Sequence, residues 1–154
     1  MNIIGFDAYA DPSKLPEYIK IVSLKEVFEQ ADAVSLHVPS TPETRNMVNR
    51  EVLKKMKTTA YVINCARGGI VNEDDLYEAL LNKEIAGAAM DVFNEEPAKS
   101  DNKLFLLPNF IASPHNAGLT HEASDGMAMS CAIAIDDVLS GRKPLYPIND
   151  PNVI

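Results

Sequence analysis

The sequence predicts an α/β fold built on a doubly wound parallel sheet. Two observations carry this. Short apolar runs of strand length alternate with amphipathic stretches of helical period. Each run also stops at a polar or turn-forming cluster, as buried parallel strands joined by helices do.

Taken in order, Asn2 to Phe6 reads as the first strand, ending at Asp7. Ser23 to Phe28 forms a short helix with Ser23 as its N-cap. Ala33 to Val38 is the next strand, stopped by Pro39, and Asn49 to Met56 a short amphipathic helix. Ala60 to Asn64 follows as a strand. Asn72 then caps a helix that opens on Glu73, Asp74 and Asp75, where the macrodipole favours negative charge. Ile85 to Val92 and Asn109 to Ser113 complete five strands. A long helix runs from Thr120, its N-cap, to Ser140, with Gly141 as a left-handed stop and Pro144 barring continuation. Residues 10–17 and 95–103 read as loops. Residues 1–143 are expected to form one domain, and 144–154 a tail that packs against something.

Composition excludes several classes. With 46% apolar and 23% charged residues in 154, the chain is an ordinary globular sequence long enough to bury a core. A net charge of −8 opposes nucleic acid, whose binding leans on Lys and Arg. It does not oppose a small anionic substrate, because one local Arg can outweigh the global field. No apolar run approaches the roughly 20 residues of a membrane span. The N-terminus has no signal-peptide pattern. Two cysteines make no disulfide framework, so Cys65 and Cys131 read as reduced thiols in a cytoplasmic protein. No metal is expected.

Three motifs place chemistry at strand ends, where ligands bind in such sheets. In Asn64-Cys65-Ala66-Arg67-Gly68-Gly69, the glycines permit a tight turn and Arg67 offers a planar fork for a carboxylate. In Asp91-Val92-Phe93-Asn94-Glu95-Glu96-Pro97 and Ser113-Pro114-His115-Asn116-Ala117-Gly118, Glu96 and His115 form a proton-transfer pair. Reducing a ketone by hydride creates an alkoxide that needs a proton, and an imidazolium held by a carboxylate supplies it. An oxidoreductase acting on 2-hydroxy or 2-keto acids follows.

Other residues leave two readings. Asp7 either accepts from cofactor ribose hydroxyls or is a turn residue before Ala8-Tyr9. Asp91 either faces a nicotinamide carboxamide or caps a loop. His37 reads as packed or backbone-bonded rather than catalytic. Cys65 reads as a small side chain under a cofactor, Cys131 as core, and Met127 and Met129 as helix packing. His121 reads as solvated.

These motifs, with His37-Val38-Pro39 and Thr41-Pro42-Glu43-Thr44, resemble the D-isomer-specific 2-hydroxyacid dehydrogenases in order and along nearly the whole chain. The Asn64 to Gly69 segment is most similar to the phosphoglycerate dehydrogenase branch. The resemblance implies a Rossmann-type NAD-binding domain, with Arg67 on the substrate carboxylate, His115 as acid/base and Glu96 as its partner. It implies that Asp7, Val38, Cys65, Ala66, Arg67, Asp91, His115 and the Asn116, Ala117 and Gly118 turn line the NAD site. It also implies a 2-hydroxy or 2-keto acid substrate and a homodimer. The family's substrate domain, first strand and G-x-G-x-x-G turn do not occur in this sequence, so the chain is expected to be the C-terminal part of a larger enzyme. The strand is expected to fit between Asn2–Phe6 and Ala60–Asn64, and its absence to leave unpaired edges. A second reading is a truncated, catalytically inactive nucleotide-binding or oligomerisation module of the same family.

Overall fold

In the computed structural model, residues 1–148 are described, and they divide into a unit over Met1–His115 and a unit that begins at Asn116. The first unit holds six parallel strands. Strand β1 (Ile3–Gly5) pairs with β2 (Ile19–Ile21), and β3 (Ala33–Leu36), β4 (Tyr61–Asn64), β5 (Gly87–Met90) and β6 (Phe110–Ala112) form a second sheet in that order. Helices α1 (Leu24–Gln30), α2 (Arg50–Leu53) and α3 (Glu73–Leu81) connect them.

Local sequence sets the helix starts. Ser23 caps α1 in a capping box, accepting from the Glu26 N–H while the Glu26 carboxylate accepts from the Ser23 N–H. Asn49 caps α2 and Asn72 caps α3 through the side-chain oxygen alone.

Register puts Val34, Leu36, Val62, Asn64, Ala88 and Met90 on one face of the four-stranded sheet, and each is buried. Leu53 of α2 and Leu76, Ala79 and Leu80 of α3 join them in one core. Each fully buried Leu or Val contributes about 1.5–3 kcal/mol of transfer free energy. Tyr61 and Ile111, on the opposite face, stay exposed.

Two expectations about strands change. Ile19-Lys20-Ile21 is a sixth strand inside a stretch with no predicted element, and pairing with β1 gives a second sheet. A strand cannot insert beside Ala60–Asn64, because β4 is hydrogen-bonded to β3 on one side and β5 on the other. The unpaired edges belong to β3, β1, β2 and β6.

The second unit contains α4 (His121–Leu139), capped by Thr120 and followed by Gly141 at a φ of 72°. No residue of α4 is buried. Cys131, Met127 and Met129 are therefore exposed rather than core. The physical reason is that α4 is the one helix or strand of its unit among the described residues, so that unit holds no second element to cover an apolar face. His121 is exposed, as expected. In the 144–154 segment Leu145, Tyr146 and Ile148 are exposed, and residues 149–154 lie outside the described ones. No helix among the described residues is long and apolar enough to cross a membrane.

Candidate active site

The site begins at the last residue of β4. Asn64 is fully buried within an otherwise apolar strand, and its carboxamide is spent on the turn that follows. Its Oδ1 accepts from the Ala66 N–H at 3.1 Å and its Nδ2 donates to the Arg67 carbonyl at 3.0 Å. Gly68 then passes so close to the neighbouring strand end that a Cβ there would lie 1.9 Å from the Phe93 carbonyl oxygen. Together they place Arg67 at the mouth of the site, with Nη1 donating to the Ala66 carbonyl at 2.6 Å.

The segment after β5 supplies the carboxylate. Glu96 Oε1 accepts from the Phe93 N–H at 3.0 Å, so the side chain folds back onto its own turn. Its Oε2 lies 2.7 Å from Nδ1 of His115, which follows β6. The hydrogen bond from His115, then that from the Phe93 N–H, hold the Glu96 carboxyl below the usual glutamate range. Burial and the charge of Asp91 oppose this more weakly. Glu96 is thus ionised at neutral pH and acts as acceptor, which places the shared hydrogen on Nδ1 and leaves Nε2 for a ligand. His115 itself adopts a φ of 54°, a conformation uncommon for residues with a side chain.

Arg67, Glu96 and His115 line one open cleft of about 780 Å³, together with Arg45, Asn72 and Glu73. Glu96 and His115 also line a second, more apolar cavity of about 600 Å³ walled by Phe93, Pro97, Phe105 and Pro114. The proposed trio is therefore brought together. Asp91 is 2% exposed, lines the second cavity and accepts from the Ser113 hydroxyl across the β5–β6 edge.

Cys65 and Ala66 share the Arg67 turn, and the other candidates of the first unit lie at other strand ends. Asp7 follows β1, is exposed, and accepts from the Tyr9 N–H at 2.8 Å, as a turn residue does. Val38 packs on the core beyond β3, Cys65 is exposed at the end of β4, and Ala66 is buried. Asn116, Ala117 and Gly118 fall in the second unit, where the Leu119 N–H donates to the Asn116 carbonyl at 2.9 Å. His37 is exposed and its Nε2 meets the Ser35 hydroxyl at 2.8 Å, so it is neither packed nor backbone-bonded. Among the described residues no His, Cys, Asp and Glu cluster could hold a metal ion.

Sequence reasoning overlooked Asn64, Ser113, Glu73 and Arg45. The first two had a visible signal, a lone polar residue at the end of an apolar strand. Glu73 and Arg45 join the cleft only through the fold.

Parallel strands joined by helices, with polar side chains collected at the strands' carboxyl ends, define a Rossmann-type nucleotide-binding domain. More particularly, the chain belongs to the D-isomer specific 2-hydroxyacid dehydrogenase family: residues 1–117 match the model of its NAD binding domain. It is 42% identical over 156 residues to a D-3-phosphoglycerate dehydrogenase of Methanocaldococcus jannaschii, covering 99% of this chain and 29% of that protein. It is 44% identical over 131 residues to a glyoxylate reductase of Korarchaeum cryptofilum, covering 85% and 40%. The fold superposes with a TM-score of 0.88 on a D-lactate dehydrogenase with NAD+ from Lactobacillus jensenii, at 28% identity, covering 97% of this chain and 48% of that one. The chain thus spans between under a third and about half of the relatives it matches.

Proposed function

We propose that this chain supplies the NAD-binding and proton-transfer part of an NAD-dependent dehydrogenase acting on D-2-hydroxy acids. The observation that carries the reading is the 2.7 Å Glu96–His115 contact in the same cleft as Arg67. Arg67 grips the substrate carboxylate and polarises the adjacent carbonyl. The His115 imidazolium donates its Nε2 proton to the developing alkoxide, and ionised Glu96 stabilises that imidazolium. In the oxidative direction neutral His115 accepts the hydroxyl proton at Nε2.

NAD, when bound, takes or supplies the hydride. The acceptors present fit its two ends. Asp91 is a buried acceptor at a strand end, suited to a carboxamide N–H. Asp7 has Oδ2 without a protein partner among the described residues, suited to ribose hydroxyls. Val38, Cys65, Ala66 and the turn of Asn116, Ala117 and Gly118 would line the site. The G-x-G-x-x-G turn that would hold the pyrophosphate is not in these 154 residues. Homodimer formation and a cytoplasmic setting belong to the same proposal, supported by the family and by the free thiols of Cys65 and Cys131.

The test is to complete the chain with the remaining segments of its Methanocaldococcus relative and follow NADH oxidation with a panel of 2-keto acids. Substrate-dependent oxidation is expected. A folded, NADH-binding chimera that reduces none of them would overturn the reading.

A further inference from the structure

The acids opening α3 do more than complement the helix dipole. Asp75 Oδ2 accepts from the Arg50 N–H at 2.9 Å, and Asp74 pairs with Lys103 at 2.8 Å. Glu73 reaches the loop that carries Glu96. Its Oε1 accepts from the Asn94 N–H at 2.7 Å, and its Oε2 accepts from Asn102 Nδ2 at 3.0 Å. One carboxylate therefore holds both ends of the 94–102 loop.

The Asn94 amide is the one immediately after the Phe93 amide bound by Glu96. Adjacent backbone N–H groups are thus taken by two carboxylates, one on α3 and one on the loop itself. The chain of contacts runs from Asn102 through Glu73 to Asn94, then from Phe93 through Glu96 to His115. The Asn102 end is itself fixed, since its Oδ1 accepts from the Leu104 N–H at 3.0 Å and Leu104 is fully buried. Charge-assisted bonds of this kind are about twice as strong as neutral ones, and half-burial of Glu73 limits their screening. Glu73 lines the cleft, but both its oxygens are engaged by the loop.

We propose that Glu73 is a positioning residue for the Glu96–His115 pair, clamping both ends of the loop that presents Glu96 to the imidazole. This rests on reading that pair as the proton-transfer machinery. Without the clamp the Phe93–Glu96 turn loses its anchor, and Glu96 has no fixed place from which to orient Nδ1. Misplacing a catalytic group by about 1 Å costs on the order of a hundredfold in rate.

The 154-residue chain allows a test that needs no turnover. Carboxyl carbon NMR follows the titration of Glu96, and long-range proton–nitrogen NMR reads which ring nitrogen of His115 carries hydrogen. In the wild type, Glu96 titrates below the usual glutamate range. Glu73→Ala is expected to move that titration up toward the usual range and to reduce the share of the Nδ1–H tautomer. Glu73→Gln keeps an acceptor for the Asn94 N–H but turns an amide N–H toward Asn102 Nδ2, and is expected, like the release of one end, to give an intermediate change. Asn102→Ala, which frees one end only, is expected to give an intermediate change. Unaltered Glu96 and His115 signals in folded Glu73→Ala would overturn the proposal; if that variant does not fold, unaltered signals in Asn102→Ala would do so. In the completed enzyme, Glu73→Ala is expected to lower kcat by about tenfold to a hundredfold with KM for the keto acid little changed. Altered signals together with no turnover in the completed wild type would leave the clamp standing and reject the dehydrogenase reading.

Discussion

Asn64 and Arg67 are joined across the tightest turn of the site: the Asn64 carboxamide donates to the Arg67 carbonyl at 3.0 Å while accepting from the Ala66 N–H. Asn64 has no exposed surface, and the Ala66 N–H it accepts from is buried, so that N–H is left without a partner if the carboxamide is removed. Asn64→Ala is expected to destabilise the chain by about 1–3 kcal/mol for each buried group left unpaired. Urea denaturation measures this, and a variant as stable as wild type would show that the turn holds itself.

Gly68 tests the same turn by steric means. Its added methyl would meet the Phe93 carbonyl oxygen, which is backbone and cannot swing aside. Gly68→Ala is expected to cost about 1–3 kcal/mol, as overpacking does. Gly126, on α4, has nothing within 4 Å of the same added methyl. Gly126→Ala is expected to stabilise by up to about 1 kcal/mol through helix propensity. Thermal melts of the two variants should shift in opposite directions. A shift of the same sign would contradict the close approach at Gly68.

The Glu96–His115 contact also sets a pH dependence. Glu96 is held below the usual glutamate range, chiefly by the His115 hydrogen bond and then by the Phe93 N–H. Between the folded value and the unfolded one, about 4.3, the native state binds fewer protons than the unfolded state, so stability rises with pH. The contribution is complete above the unfolded value and lost as pH falls through the folded one. The stability gap between wild type and Glu96→Gln should therefore be largest near about pH 6 and shrink toward about pH 3. A gap independent of pH would mean that the carboxylate is not what stabilises this turn.

The 154-residue chain alone is expected to reduce 2-keto acids little or not at all, because no glycine-rich turn within it can hold a pyrophosphate. NADH oxidation with hydroxypyruvate checks this. Robust turnover would show that Asp7, Asp91 and the strand ends suffice for the cofactor.

What the sequence made legible was local. Ser23, Asn72 and Thr120 were readable as N-caps because a capping oxygen and its N–H lie within three residues of each other. Arg67, Glu96 and His115 were readable because each follows an apolar run and parallel sheets gather such positions at one edge. Strand β2 was missed because three residues, Ile19-Lys20-Ile21, are too short for periodicity to distinguish from a loop. The place of an additional strand was misjudged because chain order does not specify which strand is an edge; hydrogen bonding on both sides of β4 does. Glu73 looked like a helix-dipole residue because its partners Asn94 and Asn102 lie 21 and 29 residues away. Cys131 reads as core because an apolar helix ordinarily has a packed face, and α4 buries none of its residues.

The proposed chemistry rests on the His115 imidazole. In the completed enzyme, kcat for 2-keto acid reduction should fall by about two to four orders of magnitude in His115→Ala, the cost of a lost general acid, while NADH affinity stays near wild type. A loss of less than about tenfold would contradict the account, because the proton would then come from another group.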